Sequence, residues 1–158
     1  MEMLLERKRP SPDFNYRETE TEMNPPKLSP RLLAVAELVR EGAYVADVGT
    51  DHAYLPIYLC LSGKARGAVA SDINEGPVQR AKLNIASHKL EDKILVLHTD
   101  GLRRVDILCP DDVMICGMGG ELIAEIISGA EWLKKRRNRL ILQPMTQADK
   151  LRDYLNRE

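Results

Sequence analysis

The chain is poor in cysteine and has no long apolar run. Its 158 residues include three cysteines, Cys60, Cys109 and Cys116. They are odd in number, scattered and without metal-site spacing, so neither a disulfide framework nor a zinc site is expected, as in a reducing cytosol. The longest apolar stretches fall short of the roughly 20 residues that cross a bilayer, and the charged N-terminus lacks the apolar core of a secretory signal. These absences predict a cytoplasmic protein with no membrane partner. An excess of charge of one sign is missing too: 23 Lys and Arg against 24 Asp and Glu leave a formal net charge of −1. That balance excludes a uniformly basic coat and confines any contact with a polyanion to a local patch.

No internal repeat or compositional break signals a second domain, and 44% hydrophobic with 30% charged residues supports one sizeable core. Nothing in the pattern specifies an oligomeric state. Residues 1–27 mix charges and prolines with few large apolar side chains (Arg9-Pro10-Ser11-Pro12, then Glu18 to Glu22). Such a segment cannot bury enough surface to order itself and is predicted to be a disordered leader before a domain over 28–158.

Within that domain, short continuous apolar runs alternate with amphipathic stretches, the pattern of a parallel sheet covered by helices on both faces. Strands are expected near Tyr44 to Val48, Gly67 to Ser71, Ile94 to His98, Val113 to Cys116 and Leu140 to Gln143. Ser29-Pro30 starts a helix whose buried face is Leu32, Val35, Ala36 and Val39, and Gly42 ends it. A second helix, from about Ala53 to Leu61, tolerates Pro56 only in its first turn, which puts Asp51 and His52 at its N-terminus. Asn74 caps a third that buries Val78, Ala81 and Ile85. The fourth follows Gly119-Gly120 with Leu122, Ile123, Ile126 and Ile127 spaced for burial, and Thr146 with Asp149 is expected to cap a fifth carrying Leu151 and Leu155.

The segment from Val45 to Ala53 is an apolar strand running into a small-residue turn around Gly49 and then a helix. In a doubly wound sheet this first turn is the ligand crevice, where glycine lets the backbone approach a ligand and the helix N-terminus offers free N–H groups to an anion. Read alone it could equally be a tight strand-helix junction. Asp72 ends the second strand about twenty residues later, where a carboxylate can accept both hydroxyls of a ribose. Asp100 follows the third strand in Thr99-Asp100-Gly101, beside the expected position of a nucleobase. Ile115-Cys116-Gly117-Met118-Gly119-Gly120 opens the fourth strand onto a flexible turn at the same crevice. A lone aspartate after a strand is usually a loop or cap residue; three acidic or glycine positions in this order are more specific. A nicotinamide-dependent oxidoreductase would also place a carboxylate after its second strand, but this turn lacks the second and third fingerprint glycines.

Leu28-Ser29-Pro30-Arg31-Leu32, the string from Asp47 through Gly49-Thr50-Asp51-His52-Ala53-Tyr54-Leu55-Pro56, Gly76-Pro77, Gly117-Met118-Gly119-Gly120 and Leu140-Ile141-Leu142-Gln143-Pro144 resemble the TrmK family, the bacterial tRNA (adenine(22)-N1)-methyltransferases. The likeness runs from about Leu28 to Leu155. It implies an α/β, Rossmann-like S-adenosylmethionine-dependent methyltransferase fold, with S-adenosylmethionine as methyl donor and N1 of a tRNA adenine as acceptor. The cofactor-binding residues it implies are Asp47, Gly49, Asp51, His52, Asp72, Ile73, Asp100, Gly101, Gly117 and Met118. Arg31, Tyr54 and the basic run Lys134, Lys135, Arg136 and Arg137 would meet tRNA, the run through salt-dependent phosphate contacts, although a solvated helix end explains it equally well.

Enzymes that methylate exocyclic amines place an Asp/Asn-Pro-Pro-aromatic turn after the fourth strand, and that turn is absent. Adenine N1 already carries an in-plane lone pair, so catalysis is expected to rest on positioning and desolvation. Asp51 is the candidate to stabilise the growing positive charge or accept a proton; its competing roles are helix capping and hydrogen bonding to the cofactor. Family members continue with further strands and a helical C-terminal domain, so the sequence is expected to be truncated after the fifth strand and its helix. A non-catalytic fragment that binds cofactor is therefore the alternative reading.

Overall fold

A computed structural model describes residues 24–158. The disordered leader expected over 1–27 falls mainly on residues outside that range; residues 24–29 lead without regular structure into the first helix. Five strands, β1 (Ala43–Val48), β2 (Ala65–Asp72), β3 (Ile94–His98), β4 (Asp112–Gly119) and β5 (Arg139–Thr146), form one sheet. All pairings are parallel and the order is β3-β2-β1-β4-β5. The helices are α1 (Pro30–Leu38), α2 (Tyr54–Leu61), α3 (Glu75–Ser87), α4 (Gly120–Ser128), the single turn α5 (Trp132–Lys135) and α6 (Ala148–Leu155). This is the expected Rossmann-like methyltransferase architecture, all five strands lying where their apolar runs put them.

Alternation along each strand divides the core between the two faces of the sheet. Val45, Ala68, Ala70 and Met114 point to one side with Val35, Ile57, Leu59 and Ile85. Ala46, Val48, Val69, Val113 and Ile115 point to the other with Ile123, Ile127 and Leu151. Thus α1, α2 and α3 cover one face, and α4 and α6 the other. Ile57 and Leu59 are fully buried, and burying side chains of that size contributes about 1.5–3 kcal/mol each. Among the described residues no helix is long and apolar enough to cross a membrane.

Three helix boundaries differ from expectation. The first helix stops at Leu38, with Val39 already extended, and Gly42 instead makes the left-handed turn into β1. The second begins at Tyr54, with Ala53 as its left-handed N-cap, so Asp51 and His52 belong to the turn before it; Pro56 does fall in its first turn. The cap expected from Thr146 and Asp149 does not form. Thr146 stays in β5, paired opposite Gly119, and the left-handed Gln147 caps α6. Ladder pairing to β4 holds that threonine in extended backbone.

Candidate functional site

The strand register brings five exits level with one another. Val48 pairs with Ser71 and Ile115, Ser71 with Leu97, and Ile115 with Leu142. The residues just beyond therefore surround one crevice at the carboxyl ends, where the strand order reverses about β1 and β4. Gly49, Asp72, Ile73, Asp100, Gly101, Gly117 and Met118 all line a single cleft of about 340 Å³, within the size range of small-molecule sites. A second cleft of about 210 Å³ is lined by Arg31, Asp47, Asp51, His52 and Tyr54. Gly49 and Cys116 border both, so the two form one continuous depression.

The turn after β1 has an unusual backbone. Gly49, Asp51 and Ala53 have φ of 74°, 50° and 58°, a region that costs non-glycine residues energy and persists where the surroundings enforce it. Here they do. The Gly49 and Thr50 N–H groups both donate to the Ser71 carbonyl, at 2.8 and 3.0 Å, and the Ala53 N–H donates to the Thr50 carbonyl at 3.0 Å. A Cβ on Gly49 would lie 2.2 Å from Met118 Cε, the flexible end of a side chain that can turn aside, so it is the positive φ that favours glycine here.

Two carboxylates stand behind this turn. Asp72 is buried at the end of β2; its Oδ1 accepts the Asn74 N–H at 3.0 Å and its Oδ2 the Asp51 N–H at 3.4 Å. Asp47 is 5% exposed, and one Thr50 hydroxyl donates to its Oδ2 at 2.7 Å. Burial pushes the Asp47 carboxyl up to about 6, against the Thr50 hydrogen bond and with help from the neighbouring Asp72 charge. A positively charged ligand in the cleft would favour the ionised carboxylate and offset much of that rise. Cys116 is no candidate nucleophile, because burial first, and then the Asp47 charge, push its thiol up to about 12.

At the cleft mouth, Asp51 pairs with Arg80 at 2.7 Å and lies 3.5 Å from His52 Nε2. The His52 and Tyr54 rings stack, with centroids 5.0 Å apart and planes 7° from parallel. Asn84 donates to the His52 carbonyl at 2.9 Å. Arg80 and Asn84 are four residues apart on α3 and so share the helix face toward the turn. That spacing was the sequence signal for both, and neither was expected at the site. Thr50, Cys116, Gln143, Leu122 and Ile126 were also missed as lining or supporting residues. Gln143 carried a usable signal, since it sits at the carboxyl end of a strand.

The basic run lies elsewhere. Lys134 to Arg137 precede β5 and thus sit at the amino ends of the strands. The four β5 residues Arg139 to Leu142 separate them from the level of the cleft, about 13 Å at strand rise. Lys134 pairs with Glu158, and Arg136 donates to the Asp106 carbonyl at 2.7 Å and stacks over Trp132. The structure therefore brings Arg31 and Tyr54 to the cleft and keeps Lys134, Lys135, Arg136 and Arg137 away from it.

Comparison with known proteins agrees with this geometry. The curated tRNA (adenine(22)-N(1))-methyltransferase of Bacillus subtilis is 43% identical over 86% of the chain, and the chain spans 57% of that relative's length. The crystal structure of the B. subtilis M1A22 tRNA methyltransferase TrmK superposes with a TM-score of 0.78 at 42% identity, covering 83% of this chain and 56% of that one. Streptococcus pneumoniae Sp1610 in complex with S-adenosyl-L-methionine superposes at 0.73 with 43% identity, covering 82% and 61%. A family model described as a methyltransferase domain matches residues 28–158. The cleft at the strand ends, the order of the sheet and this match together establish that the chain belongs to the methyltransferase-domain family, and its similarity within that family is to the TrmK enzymes.

Proposed function

We propose that the chain binds S-adenosylmethionine in the cleft at the strand ends and transfers its methyl group to N1 of an adenine in tRNA, at the position corresponding to adenine 22, in the cytoplasm. The observation that carries the proposal is the convergence of Gly49, Asp72, Asp100 and Gly117 on one cleft. The donor set suits the cofactor. Asp72 would accept from the ribose hydroxyls, Ile73 and Asp100 would flank the adenine, and Asp47 offers an anionic surface to a cationic ligand. The close packing of the Gly49 turn leaves its backbone, without a side chain, facing that space. Bound there, S-adenosylmethionine would supply an electrophilic methyl carbon for a new bond to adenine N1, with the S–C bond broken and the positive charge passed from sulfur to the base.

The chain's own residues would hold and shield that event. The stacked His52 and Tyr54 rings at the rim offer a flat apolar surface to a base. Asp51, half-exposed and fixed by Arg80, would offer a carboxylate to the positive charge that grows on the base. Its pairing with Arg80 suits this electrostatic role, or a cofactor hydrogen bond, better than proton abstraction. The similar B. subtilis and S. pneumoniae proteins support the choice of cofactor and substrate.

Calorimetric titration with S-adenosylhomocysteine and with NADH tests the first half: binding of the homocysteine product alone is expected, and binding of NADH alone overturns the reading. Incubation with labelled methyl donor and unmodified tRNA tests the second. Label is expected at adenine N1; cofactor binding with no label in the RNA would leave a binding fragment.

A further inference from the structure

The larger cleft at the strand ends does not stop at Asp100. A further cavity of about 320 Å³ begins there and runs between the loop after β3 and the exposed side of α4, as far as Ser128 and Gly129. Asp100, Gly101, Leu122 and Ile126 line both spaces and so form the neck between them. Gly101 sets the width of that neck. Its φ of 55° favours glycine, and a Cβ in its place would stand 3.3 and 3.5 Å from Cγ2 and Cγ1 of Ile126. With no side chain at this position the passage stays open. Leu122 and Ile126 give the neck an apolar wall, while Arg103, Glu125 and Ser128 make the far end polar.

The chemistry of Asp100 decides which edge of an adenine would face this neck. An ionised carboxylate only accepts hydrogen bonds, and the adenine of a nucleoside has one donor group, its exocyclic N6 amine. An adenine held by Asp100 therefore turns N6 toward the neck. That amine has two hydrogens, so one can go to Asp100 while the other is replaced by carbon and the hydrogen bond is kept. We propose that the 320 Å³ cavity is a subsite for a substituent on N6 of the bound nucleoside, so that the chain accepts N6-alkylated adenosyl thioethers as well as the unmodified cofactor. This rests on the cofactor reading above and extends it past the base: the adenine end of the site is a passage, and a ring attached to N6 would lie against Leu122 and Ile126.

Calorimetric titration with S-adenosylhomocysteine and with its N6-benzyl derivative tests this. The wild type is expected to bind the derivative no more than about fivefold more weakly than the parent, less than one tenfold step of affinity. Gly129→Trp fills the cavity from its far end, away from the nucleoside. Gly129 has a φ of −75°, open to any residue, and a Cβ there would meet only the Glu125 and Ile126 carbonyls, at 3.7 Å. The variant should bind the benzyl derivative about 10-fold or more weakly than the wild type does, the scale of expelling a buried ring, and keep its affinity for S-adenosylhomocysteine. Ser128→Trp, one position earlier, should do the same and decides the matter if Gly129→Trp does not fold. A larger penalty for the benzyl group in the wild type would show the neck closed and overturn the proposal. So would a derivative that binds the variants as tightly as the wild type, its ring then lying in solvent, or a loss shared equally by the two ligands. If the wild type binds neither ligand, the cofactor reading itself fails.

Discussion

Asp47 offers the sharpest test of how the cleft is built, because stability and ligand binding place opposite demands on it. Burial raises its carboxyl from 3.8 to about 6. An acid whose folded value lies above its unfolded one binds more protons when folded. Its stabilising contribution is therefore complete below about pH 4 and disappears as pH rises through about 6. A shift of about 2 units at 1.36 kcal/mol each is on the order of 3 kcal/mol. Asp47→Asn keeps an oxygen to accept the Thr50 hydroxyl and removes the titration. Urea denaturation of both proteins should show near-equal stability at pH 4 and a variant more stable by about 3 kcal/mol at pH 8. Calorimetry at pH 8 should show the opposite order for S-adenosylmethionine, the variant binding at least about tenfold more weakly without the anion opposite its ammonium. In the wild type that affinity should fall as pH drops through 6. A stability difference independent of pH would refute the desolvation argument, and a more stable variant with unchanged affinity would remove Asp47 from the ligand site.

Two further substitutions probe opposite ends of the sheet. Asp72→Ala removes the acceptor of the Asn74 and Asp51 N–H groups and of the proposed ribose contact. It should weaken S-adenosylhomocysteine binding by about 1–3 kcal/mol in calorimetry; unchanged affinity would rule out the ribose assignment. At the other end, Asp112 is 0% exposed, and Arg40 meets it with its backbone N–H at 2.8 Å and its Nε at 2.6 Å. Arg40→Met keeps the apolar stem but strands that carboxylate. It should cost about 3–5 kcal/mol in urea denaturation, and a loss below about 1 kcal/mol would mean that water solvates Asp112.

The strands were legible because residues buried on both faces of a parallel sheet must be apolar throughout, and Val45 to Val48 and Val113 to Cys116 are close to that. Gly49, Asp72 and Asp100 were legible for a related reason: each follows a strand at its carboxyl end, so naming the strands located them. What escaped was set by tertiary pairing. Thr146 has the chemistry of a cap, yet the ladder to Gly119 holds it in β5. The turns Asp106–Leu108 and Trp132–Lys135 are too short to show a period. Lys134 to Arg137 lie just before β5, away from the cleft. A segment that enters a parallel strand emerges at the end opposite the crevice, so its position was implied by the strand assignment.

Two of the three buried carboxylates among the described residues, Asp112 and Asp47, show why the exit of β1 is the place where ligand chemistry should concentrate. Asp112, at the start of β4, has a guanidinium and a backbone N–H supplied from within the fold, and nothing outside the chain is needed to complete it. Asp47, at the end of β1, receives one hydroxyl and faces the like charge of Asp72. The same short stretch holds Asp51 and Ala53 at positive φ, and Arg31 lines the same cleft without a carboxylate partner among the described residues. These departures from local self-sufficiency line one depression: an anion short of a cation, a cation short of an anion, and a turn whose Gly49 and Thr50 N–H groups donate to the Ser71 carbonyl. A carboxylate that is balanced at the start of β4 and left short of a cation beside a cavity at the end of β1 is where a cationic ligand such as the proposed cofactor would be held. Binding would then return to the chain part of the free energy that Asp47 costs it, so S-adenosylhomocysteine should raise the melting temperature of the wild type more at pH 8 than at pH 5.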